Sequence, residues 1–251
     1  MRWRGINMTL LLVFAGIPVF AQLCQGNFSE PVFAEDFGQR GNTGATYGPP
    51  LAPGETTYNY FAGPNVQDGS YTITDNPVNA LSVFHSVQDR TPDDINGYMM
   101  VVNSDFDPGE FYRKRVTGLC ENTLFEFSAW VLNVLPDNNN CGPNSILPNI
   151  RFEVRSTAGA LIAFAETGNV QETVSPQWVQ YGVAFTTDAS TTEVDVVMFN
   201  NAPGGCGNDL AIDDIEFRAC GDVAEIASIS GNGEFCDDAV PASLGLEANL
   251  S

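Results

Sequence analysis

The chain has 251 residues, of which 31 are Asp or Glu and 10 are Lys or Arg, so its formal net charge is −21 at pH 7. A field of this sign repels nucleic acid and anionic membrane surfaces, and we expect neither as a partner. Because so few basic side chains can pair with the acids, we expect a divalent cation, and calcium best suits carboxylate and carbonyl oxygens. Zinc is not expected, since His85 is the one histidine and the cysteines lack CxxC spacing.

Residues 1–21 have the pattern of a secretory signal peptide. Two arginines precede an apolar run over 10–20, and Val19 and Ala21 form a small-residue cleavage signal. The apolar run is too short and interrupted to span a bilayer comfortably. We therefore expect cleavage before Gln22 and an exported protein, secreted or held at the cell surface, with no membrane insertion.

The pattern of residues 22–221 is typical of an all-β domain. Short alternating or β-branched runs are separated by turn sequences such as DPGE and APGG, and helical periodicity is almost absent. The predicted strands are 31–37, 70–74, 97–103, 110–118, 123–134, 149–156, 161–168, 178–187, 193–201 and 210–218. About ten strands in one domain predict a jelly-roll β-sandwich.

The segment 38–68 lies between the first two predicted strands and is rich in Gly, Pro and aromatic residues. Loops of this length usually have a function. Aromatic rings can pack against the apolar face of a sugar, so Tyr47, Tyr58 and Tyr60 are candidate ligand-binding residues. The alternative is that these rings cover the end of the sandwich.

A basic run, Arg113 to Arg115, lies in the predicted strand 110–118. Its functional interpretation is a docking patch for an acidic polymer. The favoured interpretation is an exposed edge strand, on which charged side chains discourage aggregation.

Six cysteines come after the signal peptide, and in an exported chain most of them are expected to form disulfides. If strands 123–134 and 210–218 are antiparallel neighbours, Cys120 and Cys220 flank one end of the pair. Cys141 and Cys206 then flank the other end. We predict the pairs Cys120–Cys220 and Cys141–Cys206, with Cys24 as a rival partner for Cys220.

Two adjacent acids, Asp213 and Asp214, interrupt the apolar pattern of the last predicted strand, "GNDLAIDDIEF". Because strand side chains alternate between faces, one acid must point toward the core unless a bulge redirects the strand. A buried carboxylate needs a cation, hydrogen-bond donors or a proton.

Residues 222–251 differ in character from the sandwich and are too few to bury a core of their own. They are predicted to be a linker and the truncated start of an immunoglobulin-like or PKD-like β domain that includes Cys236.

Several segments together resemble a known family. They are "CQGNFSEPVFAEDFG", "QDRTPDDINGYMMVVN", "VTGLCENTLFEFSAWVLNV", "SPQWVQYGVAFTT" and "NNAPGGCGNDLAIDDIEFRACG". In order and spacing they resemble the N-terminal jelly-roll domain of large adhesin-like surface proteins that gliding and related bacteria secrete through the type IX system. The resemblance implies downstream immunoglobulin-like or PKD-like repeats and a C-terminal sorting domain.

The same segments are more distantly similar to MAM domains and to carbohydrate-binding modules of galactose-binding-like fold. In those domains the first strand, a D-x-T loop and the "DD" of the last strand surround a structural calcium ion. Carried onto this sequence, the resemblance implies Asp36, Asp89 and Asp213 as calcium ligands.

The sequence contains neither a G-x-S-x-G elbow nor an HExxH motif, and no acid pair stands out as catalytic. We therefore expect a non-enzymatic extracellular recognition or adhesion module whose partner is a glycan or a surface protein, with polysaccharide favoured. One alternative is a structural or protein-binding spacer without a sugar site. Another is a substrate-targeting module of a secreted polysaccharide-degrading enzyme.

Overall fold

The structure is a computed structural model that describes residues 23–24, 28–138 and 140–221. The predicted signal peptide, the segment 222–251 and Cys236 lie outside the described residues. In the described part of the chain, no helix is long and apolar enough to cross a membrane.

The domain is an all-β sandwich, as predicted. Across the described residues its strands are β1 (Phe33–Glu35), β2 (Asn59–Tyr60), β3 (Ser70–Thr74), β4 (Met99–Asn103), β5 (Gly109–Thr117), β6 (Leu124–Asn133), β7 (Asn149–Arg155), β8 (Leu161–Asn169), β9 (Val179–Thr186), β10 (Glu193–Asn200) and β11 (Leu210–Ala219). Two short 3₁₀ turns, Pro77–Asn79 and Gly142–Asn144, lie in the connections.

The strands form two sheets with jelly-roll connections. The large sheet has the order β2-β3-β4-β11-β6-β9, with β1 also paired to β11, and the small sheet has the order β5-β10-β7-β8. From β4 onward, every connection except the β7–β8 hairpin crosses from one sheet to the other. This alternation buries the inner face of each sheet against the other.

An aromatic core fills the space between the sheets. Phe127 of the large sheet meets Phe152 of the small sheet with ring centroids 5.4 Å apart, and Phe125 stacks on Phe217 at 5.2 Å. A second apolar cluster lies on the outer face of the large sheet, where the loop around Phe84 covers Met99 and Leu132. The outer face of the large sheet is therefore partly covered by chain.

A β-bulge explains the paired acids of β11. Asp213 pairs with Trp130 and Glu216 with Ser128, so β11 has one more residue than β6 over this interval. Asp214 has a φ of +44°, and the extra residue changes the alternation of faces. Leu210, Ile212, Ile215 and Phe217 consequently all enter the core between the sheets, and Asp213 is buried on the opposite face.

The disulfides confirm one predicted pairing and correct the other. Cys141 and Cys206 are bonded, as predicted. The predicted Cys120–Cys220 pairing is wrong, because Cys220 is bonded to Cys24. The N-terminal segment runs beside the end of β11, where Ser29 N donates to Ala219 O at 3.2 Å, and this brings Cys24 to Cys220. Cys120 is disulfide-bonded as well.

Asp209, next to the start of β11, gives the sandwich a pH-dependent stability. The carboxyl group is 8% exposed and accepts one long hydrogen bond, from Ser104 N at 3.4 Å. Burial raises its pKa from 3.8 to about 8. The folded state therefore holds this proton more tightly than the unfolded state, and the contribution of Asp209 to stability falls as the pH rises from about 4 to about 8.

We predict that Asp209→Asn makes the free energy of unfolding less dependent on pH. The variant should match the wild type near pH 4 and exceed it by at least ~1 kcal/mol at pH 8, because the amide carries no charge to bury. Urea denaturation at several pH values measures this. The exposed acid Asp107, changed to Asn, serves as the control. Parallel curves for the wild type and Asp209→Asn would contradict the prediction.

Candidate functional site

Five aspartates gather beside the β11 bulge, and we call them the acidic cluster: Asp36, Asp89, Asp94, Asp213 and Asp214. Asp36 follows β1, and the bulge supplies the last two. The loop before β4 supplies Asp89 and Asp94. Two hydrogen bonds join this loop to the bulge. Arg90 N donates to Asp213 Oδ2 at 2.6 Å, and Thr91 Oγ1 donates to Asp214 Oδ1 at 2.8 Å. The structure thus brings the three predicted calcium ligands into one region and adds two acids that the sequence analysis did not propose.

Three carboxyl groups of the acidic cluster ionise less readily than usual. Burial, together with the charge of Asp214, raises the pKa of Asp213 to about 8, although two backbone N–H groups donate to it. Burial and the charges of Asp94 and Asp214 raise the pKa of Asp89 to about 6. Burial and the charges of Asp36 and Asp214 also raise the pKa of Asp94.

The carboxylate oxygens of the acidic cluster are ligands that suit a divalent cation. Asp89 Oδ2 and Asp94 Oδ2 are buried without a hydrogen-bond partner among the described residues, and such oxygens are costly unless something binds them. A Cβ atom on Gly97 would lie 2.2 Å from Asp89 Oδ2, so the carboxylate occupies space that only glycine leaves. Oxygen ligands of this kind suit calcium.

The acidic cluster is wider than a closed coordination shell. Among the described residues, three side chains have potential metal-ligand atoms that all lie within 4.8 Å of one another. They are Cys24, Glu126 and Cys220, and none of them belongs to the acidic cluster. Those two cysteines form a disulfide and have no thiolate to offer a metal. Calcium binding at the acidic cluster therefore requires its carboxylates to move toward one another.

The three predicted ligand-binding tyrosines pack onto the sandwich. Tyr58 is 8% exposed, and its hydroxyl accepts a hydrogen bond from Asp105 N at 3.1 Å. Tyr60 packs on Tyr71 with centroids 5.4 Å apart and donates to Gly48 O. Tyr47 donates to Asn79 O at 3.0 Å. The Tyr58 and Tyr60 rings thus pack on the core, and the buried Tyr58 offers no face to a ligand.

A polar pocket of about 310 Å³ lies near Tyr47. An ion pair between Arg40 Nε and Asp75 Oδ2, 2.6 Å apart, forms part of its wall. Its amide side chains include Asn79 and Asn96. This loop pocket is the place where a ligand near the predicted tyrosines would bind.

The outer face of the small sheet carries a different set of side chains, which we call the arginine–amide face. On β7, the side chains of Ile150, Phe152 and Val154 enter the core, so the alternate residues point outward. The residues of this face are Asn149, Arg151, Glu153 and Arg155 on β7, Arg113 and Arg115 on β5, Asp195 and Val197 on β10, and Phe164 on β8, with Asn169 and Asn201 at one end.

Two buried acids organise the arginine end of this face. Asp195, 6% exposed, binds Arg115 Nε at 2.8 Å and Arg113 Nη1 at 3.3 Å. Glu153, 4% exposed, pairs with Arg151 and Arg155 in the same way. A hydrogen bond from Arg115 holds the pKa of Asp195 below its usual range. The acids thus lie beneath the guanidinium groups, which reach the solvent.

The other end of the face is an amide pocket of about 410 Å³. Asn149 Nδ2 donates to Asn169 Oδ1 at 3.1 Å, and Asn201 Nδ2 donates to Asn149 Oδ1 at 3.3 Å. Between the two ends, the Arg151 guanidinium lies 4.1 Å from the centroid of the Phe164 ring, which is 39% exposed. The face therefore combines planar donors, amides and one partly exposed aromatic ring, of which Arg151 covers one side.

Of the arginine–amide face, only Arg113 and Arg115 stood out in the sequence, as part of the basic run, although a signal for β7 is present as well. The strand NIRFEVRS alternates Ile, Phe and Val with Asn, Arg, Glu and Arg, which predicts a sheet with one polar face. Recognising that β5 and β7 both flank β10 requires the sheet order, and alternation within a single strand does not supply it.

The chain matches no protein-family model and no curated protein. It is similar to the xylan-binding domain CBM22-1 of Paenibacillus barcinonensis Xyn10C, with 11% identity and a TM-score of 0.41 over 79% of this chain and 100% of that chain. It is also similar to the Stig cyclase Fisc of Fischerella sp. TAU, with 14% identity and a TM-score of 0.49 over 73% of this chain and 93% of that chain. For the sugar-binding C-terminal domain of EclA, the identity is 14% and the TM-score is 0.30 over 44% of this chain and 67% of that chain. At these values, the similarities assign no function to the chain.

Proposed function

We propose that this chain is a non-enzymatic recognition module of an exported cell-surface protein, and that it binds polysaccharide on the arginine–amide face. The observation that carries the proposal is the combination of an accessible ring, Phe164, with amides and guanidinium groups along one sheet face. An aromatic ring can pack on the apolar face of a sugar, and amides can both donate to and accept from its hydroxyls.

The location of the other apolar surfaces supports this choice of face. The outer side of the large sheet is partly covered by its own loop, which forms the second apolar cluster. The inner sides of both sheets fill the aromatic core. The outer side of the small sheet retains side chains that reach solvent, including Arg115 at 51% exposure.

In this proposal, calcium is structural. Asp36, Asp89, Asp94, Asp213 and Asp214 would hold the ion, which would neutralise their charges and fasten the loop before β4 to β1 and β11. A calcium ion supplies electrostatic attraction between segments that otherwise repel one another. The arginine–amide face lies on the other sheet, so we expect calcium to affect glycan affinity through stability alone.

The disulfides Cys24–Cys220 and Cys141–Cys206 support export, because such bonds persist in oxidising compartments. The resemblance to adhesin-like proteins supports type IX secretion and downstream repeats in the parent protein. A substrate-targeting role would differ only in the domains that come after the sandwich, and the downstream reading frame of the gene would distinguish the two roles.

We predict that Phe164→Ala weakens glycan binding at least tenfold without unfolding the protein. The mature chain would be tested on a polysaccharide array with calcium present, and affinities for the glycans that bind would be measured by calorimetry. The variant loses a partly exposed ring and its contact with Arg151, so it should lose some stability but stay folded. The control is Asn79→Ala in the loop pocket.

Three results would contradict the proposed function, its location or its non-enzymatic character. If the folded protein binds no polysaccharide, the spacer interpretation is favoured. If Asn79→Ala abolishes binding and Phe164→Ala does not, the site is the loop pocket. Release of reducing ends from any bound polysaccharide would contradict the non-enzymatic assignment.

A further inference from the structure

The two ends of the arginine–amide face differ in what they can offer a ligand. Each asparagine side chain at the amide end has both a donor and an acceptor, as sugar hydroxyls do. A guanidinium group only donates. The acceptors of the arginine end are already engaged by guanidinium groups: Asp195 and Glu153 are buried beneath them, and the half-buried Glu110 binds Arg113. The exposed surface at that end therefore consists mainly of donors.

Arg115 is the guanidinium best placed to bind a second acceptor. It is the most exposed of the four arginines of this face, at 51%. Asp195 accepts from Nε at 2.8 Å and from Nη2 at 3.1 Å. Among the described residues, these are the hydrogen bonds that the Arg115 side chain makes. The edge that carries Nη1 is thus left for a ligand, and a guanidinium edge matches the two oxygens of a carboxylate.

A second guanidinium group, that of Arg155, belongs to a residue in register with Arg115 across the sheet. Asp195 pairs in register with Arg115 on one side and with Arg155 on the other. Adjacent strands are ~4.8 Å apart, so the backbones of Arg115 and Arg155 lie roughly 10 Å apart, one on each side of Asp195. Arg155 is 32% exposed, and its guanidinium is held by Glu153 and by Gly159 O. Each of these two guanidinium groups is paired with a buried carboxylate, Arg115 with Asp195 and Arg155 with Glu153.

We propose that the arginine–amide face recognises a polysaccharide in which a uronic acid occurs among neutral sugars, with the uronate carboxylate on Arg115 and neutral sugars at the amide end. This inference rests on the proposed function. The carboxylate is an acceptor without donors and matches the donor-only end, whereas sugar hydroxyls match the amides. From Arg155 to Asn149 the face extends over six steps of β7, or ~20 Å, which is long enough for several sugars.

The charges around the face limit the ligand to few carboxylates. Glu110, Glu193 and Glu166 lie near the rim, and the chain as a whole carries −21. At physiological ionic strength, charges beyond ~8 Å are largely screened, so a single carboxylate at Arg115 senses mainly its near neighbours, which are the acids Asp195 and Glu193 as well as the guanidinium group of Arg113. A ligand with a charge on every sugar would also meet the rim acids and be repelled.

The test compares acidic polysaccharides with their carboxyl-reduced forms, which differ only by a hydroxymethyl group in place of each carboxylate. Glucuronoxylan, alginate and polygalacturonate, each with its reduced form, would be presented to the mature chain at about 0.15 M salt, where that screening applies. We expect glucuronoxylan to bind best and its reduced form to bind about tenfold more weakly. In Arg115→Ala this difference should disappear, and in Arg115→Lys it should be partly retained. Arg40→Ala, on the loop pocket, is the matched arginine control.

The outcomes separate this inference from the function on which it rests. If neutral or carboxyl-reduced glycans bind as well as acidic ones, and Arg115→Ala has no effect, the uronate inference fails while the proposed function stands. If no glycan binds a folded sample, both fail. Equal binding of dextran sulfate and glucuronoxylan would also overturn the inference, because it would indicate recognition of charge rather than of a carboxylate among neutral sugars.

Discussion

Calcium is expected to raise the melting temperature of the mature chain by roughly 5–10 °C at pH 7. An ion that binds only the folded state at 100 times its dissociation constant adds about 2.7 kcal/mol of stability, and 1 kcal/mol shifts the melting temperature of a domain of this size by about 2–4 °C. The gain arises at the acidic cluster, where buried carboxylates with raised pKa values lack a counter-charge. Extracellular calcium modules bind with Kd values of about 10⁻⁴–10⁻³ M, so the titration must extend well above 1 mM.

The structure also provides an optical signal for this binding. The Arg90 backbone N–H donates to Asp213, and the Arg90 guanidinium lies 4.1 Å from the centroid of the Trp130 ring. A cation that draws in Asp213 should shift Arg90 and thereby change the tryptophan fluorescence. The fluorescence titration and the rise in melting temperature should give the same midpoint.

Asp213→Asn is the decisive variant for calcium. The amide oxygen can still accept from Arg90 N, so the variant should fold. Without calcium it should melt near the wild-type temperature, because it no longer buries a carboxyl group that can ionise but loses the hydrogen bond from Asp214 N, which an amide NH2 group cannot accept. With calcium, it should lose most of the gain. Asp107→Asn, a change at an exposed acid, should keep the full gain. A wild-type melting temperature that is the same in calcium and in chelator would show that the acidic cluster is not a calcium site.

The strand pattern of the sandwich could be predicted from sequence because burial on one face imposes alternation. The predicted strand 149–156 corresponds to Asn149–Arg155, and 110–118 corresponds to Gly109–Thr117. Alternation cannot place a bulge. The positive φ of Asp214 and the extra residue opposite β6 depend on which strands are neighbours. The same limitation explains the wrong partner of Cys220, since the pairing of the N-terminal segment with the end of β11 joins distant parts of the chain.

The candidate sites could be predicted only in part. The resemblance implied Asp36, Asp89 and Asp213, and these three residues do gather with Asp94 and Asp214. Calcium binding there stays a prediction. The basic run contains Arg113 and Arg115, but the arginine–amide face as a whole was missed, because its residues come from four strands whose order follows the jelly-roll connections rather than the sequence. Composition drew attention to the aromatic loop instead, where Tyr58 packs in the core.

Removal of the Cys141–Cys206 disulfide is expected to lower the free energy of unfolding by about 4 kcal/mol, because the bond closes a loop of 65 residues in the unfolded chain. The double variant Cys141→Ser/Cys206→Ser avoids a free thiol, and urea denaturation measures its loss. The bond also fastens the segment in which Ile146 N donates to Cys206 O at 3.0 Å, beside the amide pocket. Glycan affinity should therefore fall in this variant even under conditions in which it is fully folded.

The matched control is Cys24→Ser/Cys220→Ser, which removes the other described disulfide, with a sequence separation of 196. Its unfolded chain gains at least as much entropy, so the loss of stability should be similar or larger, at about 5 kcal/mol. The Cys24–Cys220 bond lies at the end of β11 in the large sheet, away from the small sheet that carries the glycan face. This control should bind glycan like the wild type while it is folded. Equal affinity losses in the two variants would mean that the disulfides act on binding only through global stability, and the amide pocket would then have no separate role in recognition.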